Sequence, residues 1–189
     1  MGAATPLGGS GERSAPRAAH SLKSRALQLL AQRDQSRLEL RTKLLRHARA
    51  ALANGDDVAN DIDAGERAIA EVEALLDWLE SRGFLSDARF AESRVQSRQS
   101  RFGRLRIESE LARHRVELPP ELAIALAASE LERAAAVRAR RFSRLPADAA
   151  EHAAQTRFLL ARGFAPELVG RLMRALARAP ADVAAHDEG

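Results

Sequence analysis

Three arginines near the middle of the chain have the charge and the spacing to bind a polyanion. Arg94, Arg98 and Arg101 stand at positions i, i+4 and i+7, which places them within about 60° of one another on a helix that advances about 100° per residue. None of them has an acidic residue three or four positions away, so their guanidinium groups repel one another instead of pairing within the helix. Nucleic acid phosphate would relieve that repulsion. We therefore predict an anion-contacting face here, the alternative being a face that meets only solvent.

The arginines that follow this stripe have acidic neighbours. Arg104 and Arg106 each have a glutamate four positions on, Glu108 and Glu110, and such i,i+4 pairs stabilise a helix. We therefore expect these two arginines to be partly neutralised. Even so, residues 94–115 carry seven arginines against two glutamates, a balance of +5.

A second basic stripe lies farther along the chain, and an acidic stretch precedes the first. Residues 53–92 carry eleven acids and three arginines, a balance of −8. The second stripe has positions i, i+7 and i+11, with Arg141 beside it, and consists of Arg133, Arg140 and Arg144. The candidate contact residues for nucleic acid or an acidic partner surface are Arg94, Arg98, Arg101, Arg104, Arg106, Arg113, Arg115, Arg140 and Arg144.

No residues in the sequence have the spacing typical of a catalytic centre or a metal site. The five histidines are scattered and form no HExxH pair, no serine sits in a nucleophile elbow, and no glycine-rich loop that would bind phosphate is present. Cysteine is absent, which excludes disulfides and cysteine-ligated metals. We therefore expect a protein that is not an enzyme and that has no cofactor and no metal.

The composition favours an all-α protein without a membrane segment. Hydrophobic residues make up 46% of the 189 positions and aromatic residues only 4%, and the helix formers alanine and leucine outnumber the β-branched residues. No apolar run approaches the roughly 20 residues that a membrane span needs. The N-terminal segment lacks the apolar stretch of a signal peptide. We expect a cytoplasmic protein.

Apolar residues recur with a helical period along most of the chain. The clearest run has positions i, i+3, i+6, i+7 and i+10 and consists of Ile69, Val72, Leu75, Leu76 and Leu79. Ser36 followed by Glu39 is the pattern of a capping box at the start of a helix. The arginine stripe is expected to lie on a helix over 87–101. We expect a further helix boundary near Ser129, although no breaker residue stands there.

One tripeptide occurs twice, each time between two helical stretches. Arg82-Gly83-Phe84 and Arg162-Gly163-Phe164 lie about eighty residues apart. A glycine at such a place adopts the left-handed conformation that closes a helix. We predict that Phe84 and Phe164 occupy corresponding helix corners and pack inward.

The helix junctions themselves also repeat. Residues 33–40, 100–107 and 162–169 superimpose when Ser36, Gly103 and Ala165 are aligned as the cap positions. Eight residues beyond each cap stands a large apolar residue, and these are Leu44, Leu111 and Met173. The pattern indicates a repeated helix–turn–helix step. The alternative is an ordinary turn that an all-α chain uses more than once without a structural repeat.

Four segments of the chain, in this order, resemble the RecX family, whose members regulate the bacterial RecA recombinase. They are ALQLLAQRDQSRLEL at 26–40, LESRGFLSDARFAE at 79–92, GRLRI at 103–107 and FLLARGF at 158–164. The likeness covers about residues 21–178. It implies an elongated, curved array of three tandem three-helix repeats without catalytic residues. It also implies a regulator of DNA repair, recombination and the SOS response that binds along the groove of the RecA–DNA filament, modulates strand exchange and ATP hydrolysis by RecA, and binds single- and double-stranded DNA weakly.

The resemblance suggests how the chain is divided. We expect a disordered tail over 1–20, a first repeat over 21–82 with a polar insert near 53–66, a second repeat over 83–129, a third over 130–178 and a C-terminal tail over 179–189. The protein is expected to be a monomer. Two alternatives to recombinase regulation stay open. One is a basic helical protein that binds nucleic acid without a recombinase partner, and the other is a helical scaffold for some other protein.

One position departs from the family pattern. Gln35 stands where the family often has an aromatic residue. A contact or packing role at this position is therefore in question.

Overall fold

The structure, a computed structural model, describes residues 21–53 and 61–178. Within these residues every regular element is an α-helix and none is a strand, which confirms the predicted all-α class. The helices are α1 (Leu22–Gln32), α2 (Arg37–Ala53), α3 (Asp61–Ser81), α4 (Asp87–Arg98), α5 (Arg104–Arg113), α6 (Pro120–Arg141), α7 (Ala149–Ala161) and α8 (Pro166–Arg178). The two predicted tails lie outside the described residues. None of these eight helices is long and apolar enough to cross a membrane.

Residues at the helix starts explain where several helices begin. The hydroxyl of Ser86 accepts a hydrogen bond from the backbone N–H of Arg89 (3.3 Å), and the carboxylate of Asp148 accepts one from Glu151 (2.7 Å). Both bonds satisfy an N–H group that has no partner within the helix. Pro166 is the first residue of α8, a place where its missing N–H costs nothing.

Buried side chains form three cores in succession. The first lies among α1, α2 and α3, the second among α4, α5 and the first half of α6, and the third among the second half of α6, α7 and α8. Large side chains that are almost fully buried include Leu40, Leu44 and Leu76 in the first core, Phe90, Ile107 and Leu111 in the second, and Leu159, Phe164 and Met173 in the third. The helices therefore form an array in which each core is made by neighbours in sequence.

Helix α6 runs without a break through Ser129, so the predicted helix boundary there is wrong. The hydroxyl of Ser129 donates back to the carbonyl of Ala125 (3.1 Å) within the same helix, which removes its tendency to interrupt the helix. Leu126, in the first half of α6, belongs to the second core, while Ala134 and Val137 belong to the third. One continuous helix therefore serves two cores.

Two other predicted boundaries differ from the structure. The polar loop expected over 53–66 is helical from Asp61, where α3 begins, and residues 54–60 lie outside the described part of the chain. The helix expected over 87–101 ends at Arg98, because the chain turns there toward α5. In both places the ends of the helix could not be predicted from the sequence, because the charged and polar residues there are compatible with both helix and turn.

The two repeated glycines close their helices in the same way. Gly83 has φ 72° and Gly163 has φ 81°, as predicted for a glycine that ends a helix. The hydrogen-bond pattern is also the same, because the N–H of Phe84 donates to the carbonyl of Leu79 (2.9 Å) and that of Phe164 donates to the carbonyl of Leu159 (3.3 Å).

The phenylalanines beside these glycines have different surroundings. Phe164 is 1% exposed and belongs to the third core, whereas Phe84 is 48% exposed. The prediction that both pack inward is therefore wrong for Phe84. The physical reason is loop length, since the connection from Gly83 to the next helix is one residue longer and places Leu85, 3% exposed, in the core instead.

The three superimposed junctions correspond in space. Their caps immediately precede α2, α5 and α8, and the predicted apolar residues Leu44, Leu111 and Met173 are all buried. The first N–H of α2, on Arg37, donates to Asp87 (2.9 Å), and the first N–H of α5, on Arg104, donates to Glu130 (2.8 Å). In both cases the acceptor is a carboxylate from a later helix.

Two glycines, Gly103 and Gly163, allow the backbone next to the second core to contact the backbone next to the third core. The N–H of Gly103 donates to the carbonyl of Arg162 (3.0 Å), and the N–H of Leu105 donates to the carbonyl of Gly163 (3.1 Å). A Cβ atom on Gly103 would lie 2.3 Å from the carbonyl oxygen of Gly163, and one on Gly163 would lie 2.4 Å from the Cβ of Arg106. No side chain fits at either position, so both must be glycine while the backbones stay this close.

Gln35 has a packing role at the position where it departs from the family. It is 1% exposed, and its amide donates to the carbonyl of Leu29 (2.7 Å) while its oxygen accepts from Lys43 (2.8 Å). A buried amide needs such partners to offset the loss of water. The site therefore holds a satisfied polar side chain in the first core.

The predicted capping box forms only in part. The hydroxyl of Ser36 accepts from the N–H of Glu39 (3.1 Å), but the Glu39 carboxylate binds Arg33 and Lys43. Burial disfavours the charged carboxylate, yet these two cations outweigh burial and lower the pKa of Glu39 from 4.5 to about 2. The ionised form is thus favoured by folding.

This lowered pKa predicts a pH dependence of stability. Because the pKa of Glu39 falls on folding, its contribution is present above pH 4.5 and is lost as the pH falls toward about 2. We expect Glu39→Gln to lower the free energy of unfolding by roughly 2 kcal/mol at neutral pH, a figure that allows for the exposure of Arg33. Urea unfolding at neutral pH and below pH 3 measures this. The difference from wild type should shrink in acid, and a constant difference would contradict the assignment. Glu71→Gln, at an exposed position of α3, is the control.

Candidate nucleic-acid interface

The predicted arginine stripe is divided between a helix and the turn that follows it. Arg94 and Arg98 lie on α4, while Arg101 lies in the turn between α4 and α5. The guanidinium group of Arg94 lies 5.0 Å from the ring centre of Phe90 on the same helix. The sequence had suggested that the three arginines share one helix face. In the structure they do not, because Arg101 lies outside the helix.

Guanidinium groups instead gather around the ring of Phe102, at the corner between α4 and α5. We call this the Phe102 corner and define it as residues 99–103 with the arginines around the ring. The distances from guanidinium carbon to ring centre are 5.5–5.9 Å, and the four groups belong to Arg98, Arg101, Arg106 and Arg162. Each is close enough for a cation–π interaction. The corner thus concentrates positive charge that the sequence distributes over sixty residues.

One acidic side chain partly neutralises this corner. Nε of Arg98 lies 3.1 Å from the carboxylate of Glu110, and Nε of Arg106 lies 3.4 Å from the same group. Arg98 is thus paired across the helices, and the expectation that it has no acid to neutralise it is wrong. The Arg98–Glu110 pair is an ion pair only, since Nε of Arg98 makes no hydrogen bond. One carboxylate serves two guanidinium groups, so the corner keeps a net positive charge.

The other expected pair also forms on α5. Arg104 lies 2.7 Å from Glu108, as the i,i+4 spacing predicts. Arg104 is therefore held along its own helix. Arg113 and Arg115 follow at the end of α5, are exposed and have no ion pair within the described residues. Arg115 also has a positive φ of 58°.

Arginines on α6 and directly after α7 hold the backbone of the Phe102 corner. Arg133 donates to the carbonyls of Gln99 (3.0 Å) and Phe102 (2.9 Å). Arg140 donates to Ser100 (3.1 Å), and Arg162 donates more weakly to Arg101 (3.4 Å). Four consecutive carbonyls in the turn directly after α4 thereby accept hydrogen bonds from cations, which also suits the negative C-terminal end of the α4 dipole. The corner is fixed in place by groups far away in sequence.

Arg133 is therefore a structural residue and not part of a surface stripe. Burial, which outweighs the attraction of Glu130, lowers the pKa of its guanidinium. It also donates to the carbonyl of Leu126 (2.9 Å). Arg140 is exposed and keeps part of its side chain free for solvent, since only its bond to Ser100 occupies it.

Arg144 lies beyond the end of α6. It lines a cavity of about 270 Å³ together with Arg141 and Glu151. Its backbone carbonyl accepts a hydrogen bond from Arg138, a buried guanidinium whose pKa is lowered by burial and which also donates to Gln155 (2.8 Å). Arg133, Arg140 and Arg144 thus do not form a stripe along one helix, since Arg144 lies outside α6 and Arg133 is held by backbone carbonyls.

Arg162 is the residue of this corner that sequence reasoning missed. It follows α7 and belongs to the second of the repeated tripeptides, 61 residues from Arg101, whose carbonyl it reaches. Its guanidinium also lies 4.9 Å from the ring of Phe158. The repeated tripeptide can be recognised in the sequence, but it does not predict which residues surround Arg162.

The chemistry available at the Phe102 corner is anion binding. Guanidinium groups present several N–H donors in a plane and suit phosphate oxygens. The backbone N–H groups at the start of α5 are not available for this, because Glu130 and Gly163 accept from those of Arg104 and Leu105. No group of three or more metal-ligating side chains exists among the described residues.

Comparison with known proteins identifies the chain's relatives. A protein named Regulatory protein RecX from Ralstonia nicotianae is 45% identical over 161 residues, which is 84% of this chain and 90% of that protein. The chain belongs to the RecX family. Another Regulatory protein RecX, from Herbaspirillum seropedicae, is 46% identical and covers 79% of this chain and 86% of its own length. These values confirm the family resemblance seen in the four sequence segments.

Two further comparisons fit the RecX assignment. Residues 86–117 match the family model described as RecX, second three-helix domain, and this segment contains α4, residues 99–103 of the Phe102 corner and α5. The crystal structure of RecX from Lactobacillus salivarius is 19% identical, covers 84% of this chain and 96% of that one, and superimposes with a TM-score of 0.55. The helical array is therefore shared with a solved RecX fold.

Proposed function

We propose that this RecX-family chain binds the RecA–DNA filament and regulates the recombinase, modulating strand exchange and ATP hydrolysis in DNA repair, recombination and the SOS response. Family membership carries this proposal, since the relatives that cover most of the chain are named regulatory proteins. The helical array and the basic corner in the second three-helix domain are compatible with it. Its role is regulatory and not catalytic, its place is the cytoplasm, and it acts as a monomer.

The Phe102 corner and the end of α5 are the proposed contact with DNA phosphate. The arginines most accessible there are Arg101, Arg106, Arg113 and Arg115, with Arg94 and Arg140 at the sides. Arg98 and Arg104 contribute less, because Glu110 and Glu108 already hold them. Arg144 is a peripheral candidate. So few phosphate contacts support weak binding to free single- or double-stranded DNA.

A retention experiment tests the proposal directly. The immobilised full-length chain is exposed to RecA alone, to single-stranded DNA alone, and to both with a non-hydrolysable ATP analogue. We expect strongest retention of the assembled filament, because only it offers protein and phosphate surfaces together. Equal retention of bare DNA would favour a nucleic-acid-binding protein without a recombinase partner. Retention of neither would favour a scaffold for another protein.

A further inference from the structure

Two arginines of the Phe102 corner share one carboxylate. Glu110 lies 3.1 Å from Nε of Arg98 and 3.4 Å from Nε of Arg106. No other acidic side chain in the described part of the chain forms an ion pair with the four arginines around the ring. Carboxylate and phosphate oxygens bind the same guanidinium donors. Glu110 therefore occupies donors that a phosphate group at this corner could also use.

Glu110 does not satisfy both arginines fully. Nε of Arg98 is buried and makes no hydrogen bond, although the carboxylate lies 3.1 Å away. The hydrogen bond from Nε of Arg106 is 3.4 Å long, whereas about 2.9 Å is usual. A buried donor without a hydrogen bond costs free energy. A carboxylate that served Arg98 alone could therefore bind it better than one that is shared.

Arg106 is the partner that can leave Glu110 for an external anion. Its side chain is 46% exposed, against 31% for Arg98 and 15% for Glu110. The bond to Glu110 is the only hydrogen bond that its guanidinium group makes with the described residues. Such a group can turn toward solvent with its remaining donors. Arg98, which is more buried, would stay with the carboxylate.

We infer that Glu110 limits the affinity of the Phe102 corner for DNA phosphate. Binding requires Arg106 to exchange the Glu110 carboxylate for a phosphate oxygen, while Arg98 keeps the carboxylate. This inference rests on the proposed function, in which the corner contacts DNA. It makes Glu110 the residue that sets the affinity of the site. Weak binding to free DNA is then caused by an internal competitor as well as by the small number of contacts.

Removing the negative charge of Glu110 tests this exchange. We expect full-length Glu110→Gln to bind labelled single-stranded DNA about threefold more tightly than wild type at low salt, a change in the range of a partly exposed ion pair. Fluorescence anisotropy measures the affinity. Glutamine has nearly the same shape as glutamate and still offers Arg98 an oxygen, so circular dichroism should show an intact helical fold.

A matched control separates this local effect from net charge. Glu92→Gln changes the charge by the same amount at an exposed position of α4, and Glu92 has no ion pair with any described residue. We expect it to change the affinity much less than Glu110→Gln does. Equal effects of the two variants would overturn the inference, because net charge alone would then account for both.

Arg106→Gln tests which arginine is released. In this background Glu110→Gln should raise the affinity no more than Glu92→Gln does, since the donor that Glu110 holds back is absent. An increase as large as in the presence of Arg106 would overturn the exchange.

The remaining outcomes distinguish this inference from the proposed function. If Glu110→Gln binds DNA as weakly as wild type or more weakly, Glu110 does not compete with phosphate and only joins α4 to α5. The proposed contact between the corner and DNA could then still hold. If wild type itself binds no single-stranded DNA, the proposed phosphate contact is wrong, and the competition at Glu110 is wrong with it.

Discussion

Replacing Gly163 with alanine is expected to lower the free energy of unfolding by at least about 3 kcal/mol, whereas the same change at Gly83 should cost about 1 kcal/mol. Both glycines have positive φ, 81° and 72°, so both variants are strained in the left-handed region. Only at Gly163 does the new Cβ atom also meet other atoms, 2.4 Å from the Cβ of Arg106; at Gly83 nothing lies within 4 Å. The two sites share a tripeptide and a backbone conformation and differ in what packs against them.

Urea unfolding followed by circular dichroism measures both losses. A third variant, Gly103→Ala, tests the close approach without backbone strain, because its φ is −76° while its Cβ would lie 2.3 Å from the carbonyl oxygen of Gly163. We expect it to lose stability like Gly163→Ala, with both losses at the junction of the second and third cores. Equal, small losses at Gly83 and Gly163 would mean that the backbones separate easily there. The two cores would then be joined loosely.

Local patterns in the sequence predicted most of the fold because the forces behind them are local. Helical period, cap residues and helix-closing glycines depend on residues within a few positions of one another. The left-handed glycines and the buried residues eight positions beyond Ser36, Gly103 and Ala165 are found as predicted. Ser129 shows the limit of such patterns, since a serine that back-bonds to its own helix does not interrupt it.

The packing of the corners could not be predicted, because it depends on small differences in loop length. One additional residue after Gly83 moves Leu85 into the core and leaves Phe84 outside, although the tripeptide is the same as at Gly163. Sequence periodicity inside a helix gives no information on how a turn of two or three residues aims the next side chain. The exposed phenylalanine is therefore a property of the tertiary structure.

The arginine-rich composition of residues 94–115 indicated the region of the candidate site, but the sequence did not predict how its residues are arranged. Arginines in the stretch from 94 to 115 do face solvent at the Phe102 corner, but their counter-charge and their neighbours come from elsewhere. Glu110 neutralises Arg98 from the next helix, and Arg162 comes from the turn after α7. A search for acidic residues at i±3 and i±4 finds ion pairs within one helix but not those between helices. Such a search therefore overestimates how many arginines are unpaired.

Reversing the charge of Arg94 and Arg101 together is expected to weaken binding to single-stranded DNA by at least about tenfold at low salt, or about 1.4 kcal/mol. Neither side chain has an ion pair within the described residues, so each can serve phosphate. Arg98 is left unchanged, because a glutamate there would face Glu110. Loss of two phosphate contacts should also reduce the log–log salt dependence by about 1.4, from about 0.7 per contact. Fluorescence anisotropy of a labelled oligonucleotide over a salt series gives both quantities.

A second pair of reversals separates local contact from net charge. Arg171→Glu with Arg174→Glu changes the charge by the same amount on exposed positions of α8, and arginine and glutamate have similar helix propensities, so both variants should fold. If Arg94 and Arg101 contact phosphate, only the Arg94 and Arg101 variant loses affinity and salt dependence. Equal losses in the two variants would reduce the effect to long-range attraction between a basic protein and DNA. Wild-type binding by the Arg94 and Arg101 variant would mean that these arginines meet only solvent, and that the contact with the filament lies elsewhere on the array.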